Sequence, residues 1–198
     1  MHGIVKNVNP TRFVHRNMEM DARPKKCSWY DYPQMSHYSS PYIEVIQTEE
    51  PLDLGKVRNE LQTLQDYDTQ IYLQGNSSGM DPLEPTRGMN YKKVDANELD
   101  YHIPLFDIPY INSIIRKYDL VRTRVMKMQP KRCYSYHTDT TKRLHIPVQT
   151  NEHCFMLIEG HAVHLPLGGV YIADTTQRHT ALNASEEVRI HIVGAFKQ

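Results

Sequence analysis

Long apolar runs are missing from this chain. No stretch approaches the roughly 20 consecutive apolar residues that a membrane helix needs, and the opening MHGIVKNVNPTRF lacks the apolar core of a secretory signal. The expectation is a cytoplasmic protein without a membrane partner. Cysteine is scarce: Cys27, Cys133 and Cys154 are an odd, scattered set with no Cys-x-x-Cys pair. That argues against a disulfide framework and a thiolate zinc site, and for a reducing compartment. Net charge is absent as well, with 23 Lys+Arg against 23 Asp+Glu, so there is no basic field of the kind that binds nucleic acid. The locally basic stretch 1–26 carries six Lys/Arg against Glu19 and Asp21 and reads as a solvated arm. No internal repeat is visible.

What is present suits one folded domain. The chain has 198 residues, 39% of them hydrophobic, enough for a sizeable core. Residues 1–41 are polar, carry Pro10, Pro24, Pro33 and Pro41, and read as an extended N-terminal arm; residues 42–198 read as a single domain. YIEVIQ (42–47) alternates like a strand. PLDLGKVRNELQTLQDY (51–67) has Leu54, Val57, Leu61 and Leu64 at helical spacing, and PYINSIIRKY (109–118) predicts a second helix with Pro109 near its start. Residues 74–97 are broken by Gly and Pro without periodicity, as in a lid, a binding loop or a plain surface excursion. From 120 onward the texture changes to short strands, expected at 121–128, 133–139, 143–149, 154–158, 161–165, 170–174, 178–183 and 187–194. Such spacing predicts an antiparallel sandwich or barrel.

Histidine is concentrated late, seven of 11 lying between 137 and 198. In YHTDTTKRLHIPVQTN (136–151), strand alternation points His137 and Asp139 to one face. His179 lies in TQRHTALN. In EVRIHIV, Val188, Ile190 and Ile192 take one face and Arg189 and His191 the other; RLHIPV repeats the device with Arg143 and His145. An arginine on the polar face of so apolar a strand needs an anionic partner or solvent, and a carboxylate matches its fork bidentately. Two histidines and one carboxylate on one face of an ion, with other positions open, is the arrangement of non-haem Fe(II) oxygenases. Asp174 is the rival carboxylate, but Asp139 stands two residues from His137. His161 and His164 fall on opposite faces of a hairpin strand, His153 sits in an exposed turn, and Tyr134 and Tyr136 read as packing residues. His191 suits either the pocket wall or the core.

Taken together, H-x-D…H…R with an R-x-H after the first pair resembles the Fe(II)/2-oxoglutarate-dependent oxygenases. It is most similar to the aspartyl/asparaginyl β-hydroxylase branch, which includes bacterial proline hydroxylases. The resemblance covers about residues 120–194, through YSYHTDTTKRLHIPVQTN and HLPLGGVYIADTTQRHTALNASEEVRIHIV. It implies a mainly β fold, a double-stranded β-helix (jelly roll, cupin-like) at about 120–196, buttressed by N-terminal helices. It implies Fe(II) on His137, Asp139 and His179, with Arg189 holding the distal carboxylate of 2-oxoglutarate. Arg143 and His145 would line the co-substrate or substrate pocket. Asn183 matches a frequent family Asn, as local support or on the substrate side, and Arg124 would meet a substrate carboxylate. The implied reaction consumes O₂ and 2-oxoglutarate, releases succinate and CO₂, and hydroxylates a free amino acid or a Pro, Asp or Asn side chain. Animal aspartyl β-hydroxylase lacks the metal carboxylate and related halogenases replace it; the presence of Asp139 favours the proline-hydroxylase-like subset. The competing expectation is a non-catalytic or 2-oxoglutarate-independent cupin-like metal-binding protein, and Arg189 is the discriminator. Oligomeric state is not legible in the sequence.

Overall fold

The segment RLHIPVQ at 143–149 is buried on both of its faces over six residues, so a strand built from it must lie in the middle of a sheet with a layer on each side. A computed structural model shows that architecture and describes residues 40–83 and 97–197. The expected arm, up to residue 39, and the stretch 84–96 of the irregular segment lie outside the described residues. In chain order the elements are β1 (Ile43–Val45), α1 (Leu54–Leu61), β2 (Gln70–Tyr72), β3 (Gln74–Gly75), a 3-10 turn (Glu98–Asp100), β4 (Ile103–Pro104), α2 (Pro109–Lys117), β5 (Leu120–Met128), β6 (Arg132–Cys133), β7 (Arg143–Gln149), β8 (Cys154–Ile158), β9 (His161–Val163), β10 (Tyr171–Ala173), β11 (His179–Asn183) and β12 (Arg189–Phe196). A six-stranded sheet runs β1-β10-β7-β12-β5-β2 and a four-stranded sheet β6-β11-β8-β9, with antiparallel pairing throughout. This is the jelly-roll arrangement expected, mostly β with few helices. The large sheet draws its two edge strands, β1 and β2, from before residue 120.

Alternation divides each central strand between two cores. Leu144, Ile146 and Val148 of β7 and Ile192 of β12 join Val57 of α1 and Ile111, Ile114 and Ile115 of α2. Met128 of β5 packs with Met156 and Ile158 of β8, Ala173 of β10 and Ala181 of β11 between the two sheets. One irregularity controls the register. Val193 pairs with Arg124 but Ala195 with Val121, so β5 carries an extra residue opposite Gly194 and its parity switches. Leu120 therefore shares the helix-side core with Val125. Arg122 takes the strain at φ 50°. A Cβ on Gly194 would stand 2.9 Å from Leu120 Cδ1 and 3.0 Å from Thr123 Oγ1, so a larger residue would have to push those side chains aside.

The helices behave as their sequences require. Asp53 accepts from Lys56 N at 3.0 Å and caps α1. The helix is shorter than the apolar stripe suggested, because Thr63 Oγ1 donates to Glu60 O at 2.7 Å and competes with continued helical bonding. Leu64 still packs on the core. The N-cap of α2 has no side-chain cap of its own; the Glu60 carboxylate supplies it, accepting from Tyr110 N at 2.7 Å and Ile111 N at 2.8 Å, where the helix dipole favours negative charge. Among the described residues, no helix is long and apolar enough to cross a membrane.

Candidate metal centre

The segment expected as a strand at 133–139 is one only at its start, and the departure builds the site. Cys133 pairs with Leu182, while His137 forms an isolated antiparallel bridge with His179. Three residues, 134–136, thus oppose two, 180–181. The bulge leaves Ser135 O free to accept from His137 Nδ1 at 2.7 Å. Gln177 O does the same for His179 Nδ1 at 3.0 Å. A carbonyl only accepts, so in the neutral form of each ring Nδ1 carries the proton and Nε2 keeps its lone pair, which fixes a metal-binding tautomer.

Those lone pairs meet Asp139, which is tied down by its N–H to Thr175 O at 2.8 Å. His137 Nε2 lies 3.8 Å from Asp139 Oδ1 and His179 Nε2 lies 3.9 Å from Asp139 Oδ2. The three ligand atoms are within 4.8 Å of one another, and the two rings stand 4.4 Å apart. Side-chain exposure falls from 43% at His137 to 22% at Asp139 and 6% at His179, so the cluster opens to solvent on the His137 side. Burial pushes His179 below the usual histidine range, which keeps it neutral and able to ligate. Two imidazoles and one carboxylate from one side suit an ion such as Fe(II) with open positions. Asp174, the rival carboxylate, instead accepts from Thr176 Oγ1. His164 bonds Cys154 O, His161 packs edge-on to Tyr42, and His153 is exposed.

The cluster stands in a cavity of about 410 Å³ between the sheets, which also holds Arg122, Arg124, Arg143, His145 and Arg189. Arg189 and His145 are buried, 3% and 6% exposed. Arg189 Nη2 donates to His191 Nδ1 at 3.0 Å, and among the described residues no carboxylate reaches it. Burial pushes its guanidinium down to about 10. Both ring nitrogens of His145 are buried without a partner. Burial, and then the charge of Arg189, drives His145 and His191 well below the usual histidine range. Arg124 donates to Gln70 Oε1 at 3.2 Å, lies over the Tyr72 ring, and leaves its Nε unpartnered.

Two sequence expectations narrow. Arg143 lines the cavity, but its donors are already engaged: Nε to Asp139 Oδ2 at 2.9 Å, Nη1 to Glu98 Oε2 at 2.8 Å and Nη2 to Glu98 Oε1 at 2.7 Å. A guanidinium held by two carboxylates has no fork left for a co-substrate. Asn183 does not line the cavity. Its Nδ2 donates to Met128 O, Gln129 O and Glu187 O, and its Oδ1 accepts from the Ser185 N–H and hydroxyl. It is local support at the end of β11, not a substrate contact. Tyr134 lines the cavity rather than only packing; Tyr136 is exposed beneath Arg178. Glu98 and Gln70 were not singled out from sequence. The one local signal was Arg143 itself, a buried cation that had to find acids somewhere.

Comparisons with known proteins bear on the family and the fold. The family described as "Aspartyl/Asparaginyl beta-hydroxylase" matches residues 96–198. A curated relative, an L-proline cis-4-hydroxylase of Rhizobium meliloti (strain 1021), is 28% identical over 100 residues, covering 46% of this chain. The match spans only 36% of that relative's length. Among solved structures, a 2OG-Fe(II) oxygenase-family oxidoreductase from Burkholderia pseudomallei superposes with a TM-score of 0.52 at 11% identity, covering 72% of this chain and 76% of that one. At that identity the likeness shows the fold.

Proposed function

As the chain belongs to the aspartyl/asparaginyl β-hydroxylase family, we propose that it is an Fe(II)- and 2-oxoglutarate-dependent hydroxylase acting on an amino acid or amino-acid side chain that bears a carboxylate. His137, Asp139 and His179 would hold the iron. The bound iron would supply the oxidising chemistry: O₂ is reduced, 2-oxoglutarate is decarboxylated to succinate and CO₂, and one oxygen enters a substrate C–H bond as hydroxyl. The observation that carries the reading is Arg189, a buried guanidinium that no acid among the described residues reaches. Its natural partner is the distal carboxylate of the co-substrate, because a desolvated cation without a counter-charge is costly to maintain. Neutral His145, with both nitrogens unpartnered beside it, donates to the same carboxylate.

The chain's remaining work is orientation and shielding. Arg143 holds Asp139 through Oδ2. Arg124, steadied by Gln70, lines the cavity with its Nε unpartnered, and a substrate carboxylate would supply the second missing anion. Met126, Met156, Ala181 and Val193 complete the wall and exclude water from the reacting carbon. A cupin-like protein that does not use 2-oxoglutarate has no use for an unpaired Arg189.

An anaerobic titration tests the reading. Fe(II) and then 2-oxoglutarate are added to the apoprotein, and the visible charge-transfer band of the chelate is followed in wild type and in Arg189→Ala. A band that forms in wild type and weakens in the variant is expected. Iron binding without any band overturns the 2-oxoglutarate assignment and leaves the cupin-like alternative.

A further inference from the structure

Arg143 ties the metal-site carboxylate to a residue far away in sequence. Glu98, at the start of the 3-10 turn, faces Arg143 with both oxygens and is only 13% exposed. Oε2 also accepts from Thr140 Oγ1 at 3.0 Å and Thr141 Oγ1 at 3.3 Å, and Oε1 accepts from Arg122. The carboxylate is therefore saturated by groups that converge on the loop joining Asp139 to β7. Burial would raise its carboxyl, but Arg143 and Arg122 outweigh burial and hold it down at about 2.

The geometry points to a role beyond tethering: we propose that Glu98 is a positioning residue for the metal-binding carboxylate, keeping Asp139 available to the ion by occupying the fork of Arg143. The proposal rests on the reading of His137, Asp139 and His179 as the metal site. Arg143 has two edges. Its Nη1–Nη2 fork is locked bidentately on Glu98, so only Nε reaches Asp139, and only at Oδ2. Asp139 Oδ1, toward His137 Nε2, stays clear. Fork-to-fork pairing is the stronger geometry for a guanidinium and a carboxylate. With Glu98 neutral, that geometry is open to Asp139 instead, covering both of its oxygens and leaving none clear for an ion. Charge acts in the same direction. Arg122 and Arg143 balance Glu98 and Asp139; neutralising Glu98 leaves an extra positive charge beside a cation site.

The test is a metal titration of the 198-residue apoprotein with Co(II), read by its visible d–d absorption, together with a melting curve of each apoprotein. Glu98→Gln keeps the side-chain shape and removes the charge. It is expected to weaken Co(II) binding by about 10- to 100-fold, the range for partners outside the ligand set, and to change the band shape as Asp139 withdraws. A lower melting temperature with wild-type affinity and spectrum would mean that Glu98 only anchors the turn, and overturns the proposal. Should the Gln variant not fold, Glu98→Asp carries the test, because it keeps the charge but pulls the carboxylate back by one methylene. Its affinity is then expected below wild type, and equality overturns the proposal. Failure of wild type itself to bind Co(II) strikes the metal-site reading, and this proposal with it; loss confined to the variants does not touch that reading.

Discussion

Two corners of one cavity treat arginine differently. At the Asp139 corner, Arg143 and Arg122 are engaged by Glu98, and Arg143 also by Asp139. Elsewhere in the cavity lining, Arg189 and Arg124 have only neutral hydrogen-bond partners among the described residues, His191 and Gln70. Burial is similar at Arg143 and Arg189, 3% exposed in each case, so solvent does not make the difference; the chain's own acids do. A buried guanidinium with its acids in place is a rigid strut, and one without them is half of a binding site. On the proposed function, the first corner would serve metal positioning and the second would meet two ligand carboxylates.

The largest expected effect lies at the ligands that the saturated corner serves. Asp139→Ala should lower metal affinity and turnover beyond the ~10- to 100-fold typical of outer partners, measured by metal titration and by 2-oxoglutarate consumption. Next, the two unpaired arginines should separate. Arg189→Met is expected to raise KM for 2-oxoglutarate by about 10- to 100-fold, the value of a charge-assisted hydrogen bond or two. Arg124→Met should raise KM for the carboxylate substrate over a similar range while leaving the chelate band intact. If both variants move the same constant, Arg189 and Arg124 do not mark distinct subsites.

The two corners should also titrate in different windows. His145 and His191 are held neutral, well below their ordinary value of 6.5. The unfolded chain then binds more protons than the folded one below that value, so stability falls as pH falls through 6.5 and below. From pH 7.5 to 5.5 the two rings together should cost about 2–3 kcal/mol, seen as a melting temperature lower by about 5–10 °C. Glu98, depressed from 4.5 to about 2, contributes stability above 4.5 that is lost only as pH falls toward 2. A single acid transition with nothing between pH 7.5 and 5.5 would break the comparison. The smallest effect is expected outside the cavity. Asn183→Ala should cost about 1–3 kcal/mol in denaturant unfolding from lost buried hydrogen bonds, with both KM values unchanged.

Much of the site was legible because it follows strand alternation. Leu144 and Ile146 against Arg143 and His145, and Ile190 and Ile192 against Arg189 and His191, sort to opposite faces as a period of two requires. β7 and β8 occupy the expected residues, and α2 begins at Pro109 as expected. The stretch 133–139 did not follow, because a bulge carries no mark in the sequence beyond the histidines it serves. β2 was not expected, since QIY is too short to show a period.

By itself the sequence determined the chemistry on offer: two histidines and an aspartate, two arginines each paired with a histidine two residues away, and strands whose alternation turns those groups inward. These are local properties of a chain with a period of two. Only the tertiary structure decided which arginine has an acid. Glu98 meets Arg143 across 45 positions, and no local pattern encodes a contact that exists only once the 3-10 turn packs against the large sheet. That long-range pairing, not residue type, separates a strut from a binding site.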